Sequence, residues 1–171
     1  IYKYAKGRTG HLKTPLDLRG AGDTVLPRVW NTQYIATKEG KDRFLLEMAT
    51  GTGKTLTSSA IIKMFLRLYK VKRVLFLVDR LELEYQAWKE FDEVLKNDFK
   101  TAIWKENQSD WTNAEIVVST IQSFVSHNKY REIFRPDHFD LVISDETHRS
   151  LGTRSRKVFE SFIGVKLGLT S

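Results

Sequence analysis

The feature that most limits what this chain can fold into is a series of short runs that are apolar from end to end. "RVLFLV" (73–78) is the clearest, and "RFLLEM" (43–48), "KTAIW" (100–104), "EIVVS" (115–119), "FDLVIS" (139–144) and "KLGLTS" (166–171) follow the same pattern. A strand with one wet face alternates apolar and polar residues, so an unbroken apolar run must be covered on both sides. Helical or mixed stretches separate these runs. "KTLTSSAIIKMFLRLYK" (54–70) is expected to be a helix with Leu56, Ala60, Met64 and Leu68 recurring every four residues, and "RLELEYQAWKEFDEVLK" (80–96) a second one. Strands alternating with helices imply parallel crossovers, and the fold class is therefore α/β: a doubly wound, mainly parallel sheet flanked by helices. Such sheets bind ligands beyond the carboxyl ends of their strands, which is where functional residues are to be sought.

The 171 residues suffice for one packed core, and 41% hydrophobic content is ordinary for a globular domain. Residues 1–27 mix Gly, Pro and basic residues without an apolar period and read as a linker or the remnant of a preceding domain. Residues 28–171 form the domain proper, with a short helix expected from Arg28 to about Gly40. Lys and Arg number 28 against 21 acidic residues, a net charge of +7, which favours a polyanionic partner. The chain has no cysteine, so disulfides and thiolate metal sites are excluded. No apolar run approaches the roughly 18 residues of a membrane span. A cytoplasmic protein with no membrane partner is the expectation.

After the run 43–48 comes "ATGTGKT". Gly51 and Gly53 allow a tight turn in which the backbone N–H groups around Thr50 and Thr52 point at a phosphate, and the helix beginning near Lys54 adds the positive end of its dipole. Lys54 is placed to reach the β- and γ-phosphates of a nucleotide, and Thr55 to coordinate Mg²⁺. Met48 stands where the strict G-x-x-x-x-G-K-[ST] pattern has Gly. The competing reading is a Gly-Thr turn with an incidental Lys.

"DLVISDETHRS" (140–150) hangs two acids from the end of another apolar run. Hydrolysis of a Mg-nucleotide needs an acid near the metal and a group that positions water, so Asp145 is expected to hold Mg²⁺ with Thr55 and Glu146 to orient or deprotonate the water. Alone, two adjacent acids are commonly a solvated face; the phosphate loop upstream gives them a purpose. His148 suits a link between the nucleotide and neighbouring elements, or a structural role.

"MATGTGKT", "VLFLVDRLELEYQAW", "IVVSTIQSF", "VISDETHRS" and "KLGLTS" resemble motifs I, Ia, Ib, II and III of the superfamily 2 helicase-like ATPases, in order and spacing. Asp145 to His148 resembles the D-E-x-H box. Within that superfamily the chain is most similar to the motor (R) subunit of type I restriction enzymes. The resemblance covers residues 26–171 and implies the first RecA-like lobe of an ATP-driven DNA translocase, an N-terminal helicase ATP-binding domain that reaches motif III at Thr170 and Ser171. Thr170 would couple hydrolysis to motion. Arg80, Ser119, Thr120 and Gln122 would face the DNA backbone, although Ser119 or Thr120 could equally cap a helix start. Relatives carry R-x-Y-Q upstream, with Gln on adenine; here "RVWNTQ" supplies Asn31 and Gln33.

The resemblance also implies double-stranded DNA, a second RecA-like lobe, and modification and specificity subunits as partners, with ATP and Mg²⁺ as cofactors. The acids of the first 27 residues, Asp17 and Asp23, do not make a nuclease centre. Two other readings remain: a superfamily 2 DNA or RNA helicase outside restriction systems, and a nucleotide-gated module that closes on nucleic acid without turnover.

Overall fold

A computed structural model of the chain describes residues 43–48, 53–68, 71–106, 108–126, 129–145 and 153–170. Six strands, β1 (Arg43–Glu47), β2 (Val74–Val78), β3 (Thr101–Ile103), β4 (Ile116–Thr120), β5 (Leu141–Ser144) and β6 (Val165–Thr170), form one sheet in the order β1-β6-β5-β2-β4-β3. Every pairing is parallel. All six apolar runs are strands, within one or two residues of the expected ends.

The helices are α1 (Lys54–Leu68), α2 (Leu81–Leu95), α3 (Gln108–Asn113), α4 (Ile121–Val125), α5 (Lys129–Ile133) and α6 (Thr153–Ser161). Because side chains alternate along a strand, each central strand feeds two cores. Val74, Phe76 and Val78 point to one side, where Ile61, Ile62 and Phe65 of α1 and Ala87, Phe91 and Leu95 of α2 cover them. Leu75 and Leu77 point to the other, against Phe124, Phe134, Phe139, Val158 and Phe162. Burial of both faces is what the unbroken apolar runs demanded.

Helix α1 buries a different stripe from the expected one. Leu56, Ala60 and Met64 are only half-buried, whereas Thr57, Ser58 and Ser59 are fully buried beside Ile61 and Ile62. Each hydroxyl donates to the carbonyl four residues back: Thr57 Oγ1 to Gly53 at 3.0 Å, Ser58 Oγ to Lys54 at 2.8 Å, and Ser59 Oγ to Thr55 at 3.1 Å. Those bonds remove the cost of burying the hydroxyls, and hydropathy does not register them.

Trp104 and Trp111 find their place in the second core. Their rings lie 4.6 Å apart, and Trp104 also meets Phe124 at 5.3 Å and Phe134 at 5.2 Å. Trp88 and Phe91 lie on the core side of α2, Phe91 fully buried and Trp88 donating its indole N–H to the Thr101 carbonyl at 3.1 Å. At the amino edge of the sheet, a Cβ on Gly164 would lie 2.3 Å from the Phe139 carbonyl oxygen. Only glycine lets the chain enter β6 so close to the start of β5. The helix expected over 28–40 lies outside the described residues.

Candidate functional site at the carboxyl edge of the sheet

All six strands end on the same edge, and the ladders run one residue further at two of the ends that matter. Met48 N–H donates to the Thr170 carbonyl and Asp145 N–H to the Leu77 carbonyl, both at 2.8 Å. These bonds fix where the phosphate loop leaves β1 and where the acidic segment leaves β5. The two strands are separated only by β6.

Gly53 closes the loop at φ +85°, in the left-handed region that glycine occupies without strain. Its carbonyl accepts the Thr57 N–H at 2.9 Å, so α1 begins there, with Lys54 and Thr55 in its first turn. Lys54 Nζ lies 3.8 Å from Asp145 Oδ1, and the two side chains are only 10% and 13% exposed. One cation and one carboxylate thus converge at the amino end of a fifteen-residue helix. The donor set fits a Mg-nucleotide: the ammonium and the helix N-terminus suit phosphate oxygens, while the carboxylate and the Thr55 hydroxyl suit a hard divalent cation.

Thr170 is the last residue of β6, buried, with its carbonyl held by the loop's first residue, Met48. The remaining expected site residues, Asn31, Gln33, Thr50, Gly51, Thr52, Glu146 and His148, and Ser171 beside them, lie outside the described residues.

Of the four residues expected to face DNA, the structure brings Arg80 and Gln122 to the surface. Arg80 is the N-cap of α2 by backbone geometry, without a side-chain capping bond. Ser119 and Thr120 differ from the expectation: they are 0% and 3% exposed. Ser119 Oγ donates to the Thr120 carbonyl at 3.0 Å. Thr120 caps α4, its hydroxyl accepting the Ser123 N–H at 3.0 Å. Capping is thus the role these contacts give Thr120.

Glu84 escaped the sequence reading. It lies in the first turn of α2 and is 1% exposed, yet its carboxylate accepts the Thr120 N–H at 2.8 Å and pairs with Lys105 Nζ at 2.6 Å. The only available signal was an acid near the amino end of a helix, a place where acids are common for the dipole alone.

The all-parallel sheet, the loop-to-helix phosphate cradle after β1 and the acid after β5 define a RecA-like lobe of the superfamily 2 helicase-like type. Residues 18–171 match the ResIII family, described as the type III restriction enzyme res subunit, and the chain belongs to that family. It is 34% identical over 166 residues to the EcoAI endonuclease subunit of a type I restriction enzyme from Escherichia coli, across 88% of this chain and 20% of that protein. It is 30% identical over 161 residues to the EcoKI endonuclease subunit of Escherichia coli K12, across 80% of this chain and 14% of that one. The chain therefore spans a fifth or less of either relative. Among solved structures it resembles a nuclease-deletion mutant of the Type ISP restriction-modification enzyme LlaGI in complex with a DNA substrate mimic. That match has a TM-score of 0.61 at 22% identity and covers 84% of this chain and 17% of that one.

Proposed function

We propose that this chain is the ATP-binding lobe of an ATP-dependent DNA translocase, the motor subunit of a type I restriction endonuclease. The observation that carries the reading is the approach of Lys54 to Asp145 across β6, at the start of the helix that Gly53 opens. Lys54 binds the β- and γ-phosphates, and Thr55 and Asp145 hold Mg²⁺, which when bound offsets negative charge on the phosphates. Thr50, Gly51, Thr52 and Gly53 supply backbone donors to the phosphates. Glu146 orients the attacking water and accepts its proton. Asn31 or Gln33 contacts adenine, and His148 and Thr170 pass the state of the nucleotide to the rest of the motor.

The names of the two Escherichia coli relatives support the restriction setting, and the DNA mimic bound to LlaGI supports DNA as the track. Modification and specificity subunits and a second RecA-like lobe belong to the same reading. The nuclease centre is assigned to sequence other than these 171 residues.

The test is the ATPase rate of the full-length protein without DNA, with single strands and with long duplex, beside Glu146→Gln. Strong stimulation by duplex that disappears in Glu146→Gln is the expected result. Stimulation by single strands or RNA alone would transfer the assignment to a strand-separating helicase. No stimulation by any of them would leave a nucleotide-gated binding module.

A further inference from the structure

Glu84 is the one carboxylate among the described residues that is wholly buried at the carboxyl edge and outside the nucleotide site. Burying a carboxylate is costly unless its lone pairs meet donors, and here both oxygens do. Oε1 takes the N–H of Thr120, the last residue of β4 and the cap of α4; Oε2 takes Lys105, two residues past β3. Glu84 itself is four residues past Arg80, whose carbonyl accepts the Glu84 N–H at 3.1 Å. One side chain therefore ties together the loops that leave β2, β3 and β4. The exposed residues expected to meet DNA, Arg80 and Gln122, lie on two of those loops, and no direct bond between Arg80 and Gln122 is seen.

We propose that Glu84 is a positioning residue for the DNA interface: it holds the Arg80 and Gln122 loops at a fixed spacing, and Lys105 balances its charge. The proposal rests on the DNA-motor reading. Phosphates recur along a strand at a fixed repeat, so two protein contacts engage neighbouring phosphates only while their separation is held. Ala at position 84 leaves the Thr120 N–H buried without its acceptor and releases that separation. Gln keeps an acceptor for Thr120 but turns an N–H donor toward the Lys105 ammonium.

The experiment is a DNA titration of ATPase activity in the full-length protein, with DNA-free nucleotide binding and thermal melting measured alongside. Glu84→Ala is expected to raise the half-stimulating DNA concentration about tenfold, the loss of one charge-assisted contact, with DNA-free nucleotide binding unchanged. In an Arg80→Ala/Gln122→Ala background the same change should add less than about twofold, because residues that act through one another are not additive. Glu84→Gln should shift the titration in the same direction by less, and Glu84→Gln/Lys105→Met should return it toward wild type. The Gln variants carry the test if Glu84→Ala fails to fold. A purely structural role would instead lower DNA-free nucleotide binding and add in full to the Arg80/Gln122 background. That result, or a Glu84→Gln titration that overlays wild type, overturns the proposal while leaving the motor reading intact. Absence of DNA stimulation in the wild type removes both.

Discussion

Gly53 shows how much of the nucleotide site depends on a single backbone conformation. At φ +85° an L side chain is strained, while the nearest atom to an added Cβ, Leu56 Cβ, is a comfortable 4.0 Å away. The cost of Gly53→Ala is therefore conformational rather than steric, about 1–2 kcal/mol of folding stability. Because the strain falls on the residue that opens α1, nucleotide affinity should fall with it. Urea melts and nucleotide titrations of the variant check both, and an unchanged midpoint would show that the loop relaxes freely. Gly53, Lys54, Thr55 and Asp145 were legible in the sequence because their chemistry is local: each follows a strand, and the type of each residue names its task. Glu84 was not legible, since its partners Thr120 and Lys105 are 36 and 21 positions away along the chain, and only the strand order brings them together.

The strands could be read from the sequence because burial on both faces leaves an unbroken apolar run, and the all-parallel pairing followed from the helices between them. What hydropathy missed is the buried face of α1, where hydroxyls bonded to their own helix replace aliphatic side chains. Ser58→Ala removes a hydroxyl together with its only use and should change stability by less than about 0.5 kcal/mol. Ser58→Leu forces new volume into a site with no exposure and should cost about 1–3 kcal/mol. Chemical denaturation of the pair separates a close-packed helix face from one with room to spare. At the opposite edge, His138 packs between Phe134 and Phe139, with Arg73 Nη1 3.3 Å from its Nε2. Burial first, and then the Arg73 charge, hold its pKa below the ordinary 6.5, against the weaker pull of Asp137 and Asp140. The folded state thus binds this proton less readily than the unfolded chain does. The contribution is present above pH 6.5 and lost as the pH falls through the folded value. His138→Gln should flatten the decline of melting temperature in that acid window, and an identical profile would place the sensitivity elsewhere.

Taken whole, the molecule closes both faces of its sheet with its own helices and keeps its chemistry on one edge. The cores over Phe76 and under Leu75 involve only residues of this chain, so the lobe has what it needs to hold its shape alone. The nucleotide site is different in kind. Lys54, Thr55 and Asp145 address the phosphates and metal from one side, and nothing among the described residues faces them from across the edge with an arginine. In related nucleotide hydrolases such an arginine accelerates phosphoryl transfer by about 10³–10⁵, because charge builds on the transferring oxygens only in the transition state. The isolated 171-residue chain should therefore bind Mg-ATP, weakly, and turn it over at least about a thousandfold more slowly than the full-length protein with duplex DNA. Nucleotide binding and steady-state hydrolysis, measured on both proteins in the same buffer, decide the matter. Binding without turnover in the fragment would assign the missing charge to a second lobe. Turnover at the full-length rate would mean that one lobe is a complete catalyst, and that Glu146 and its neighbours need no partner across the cleft.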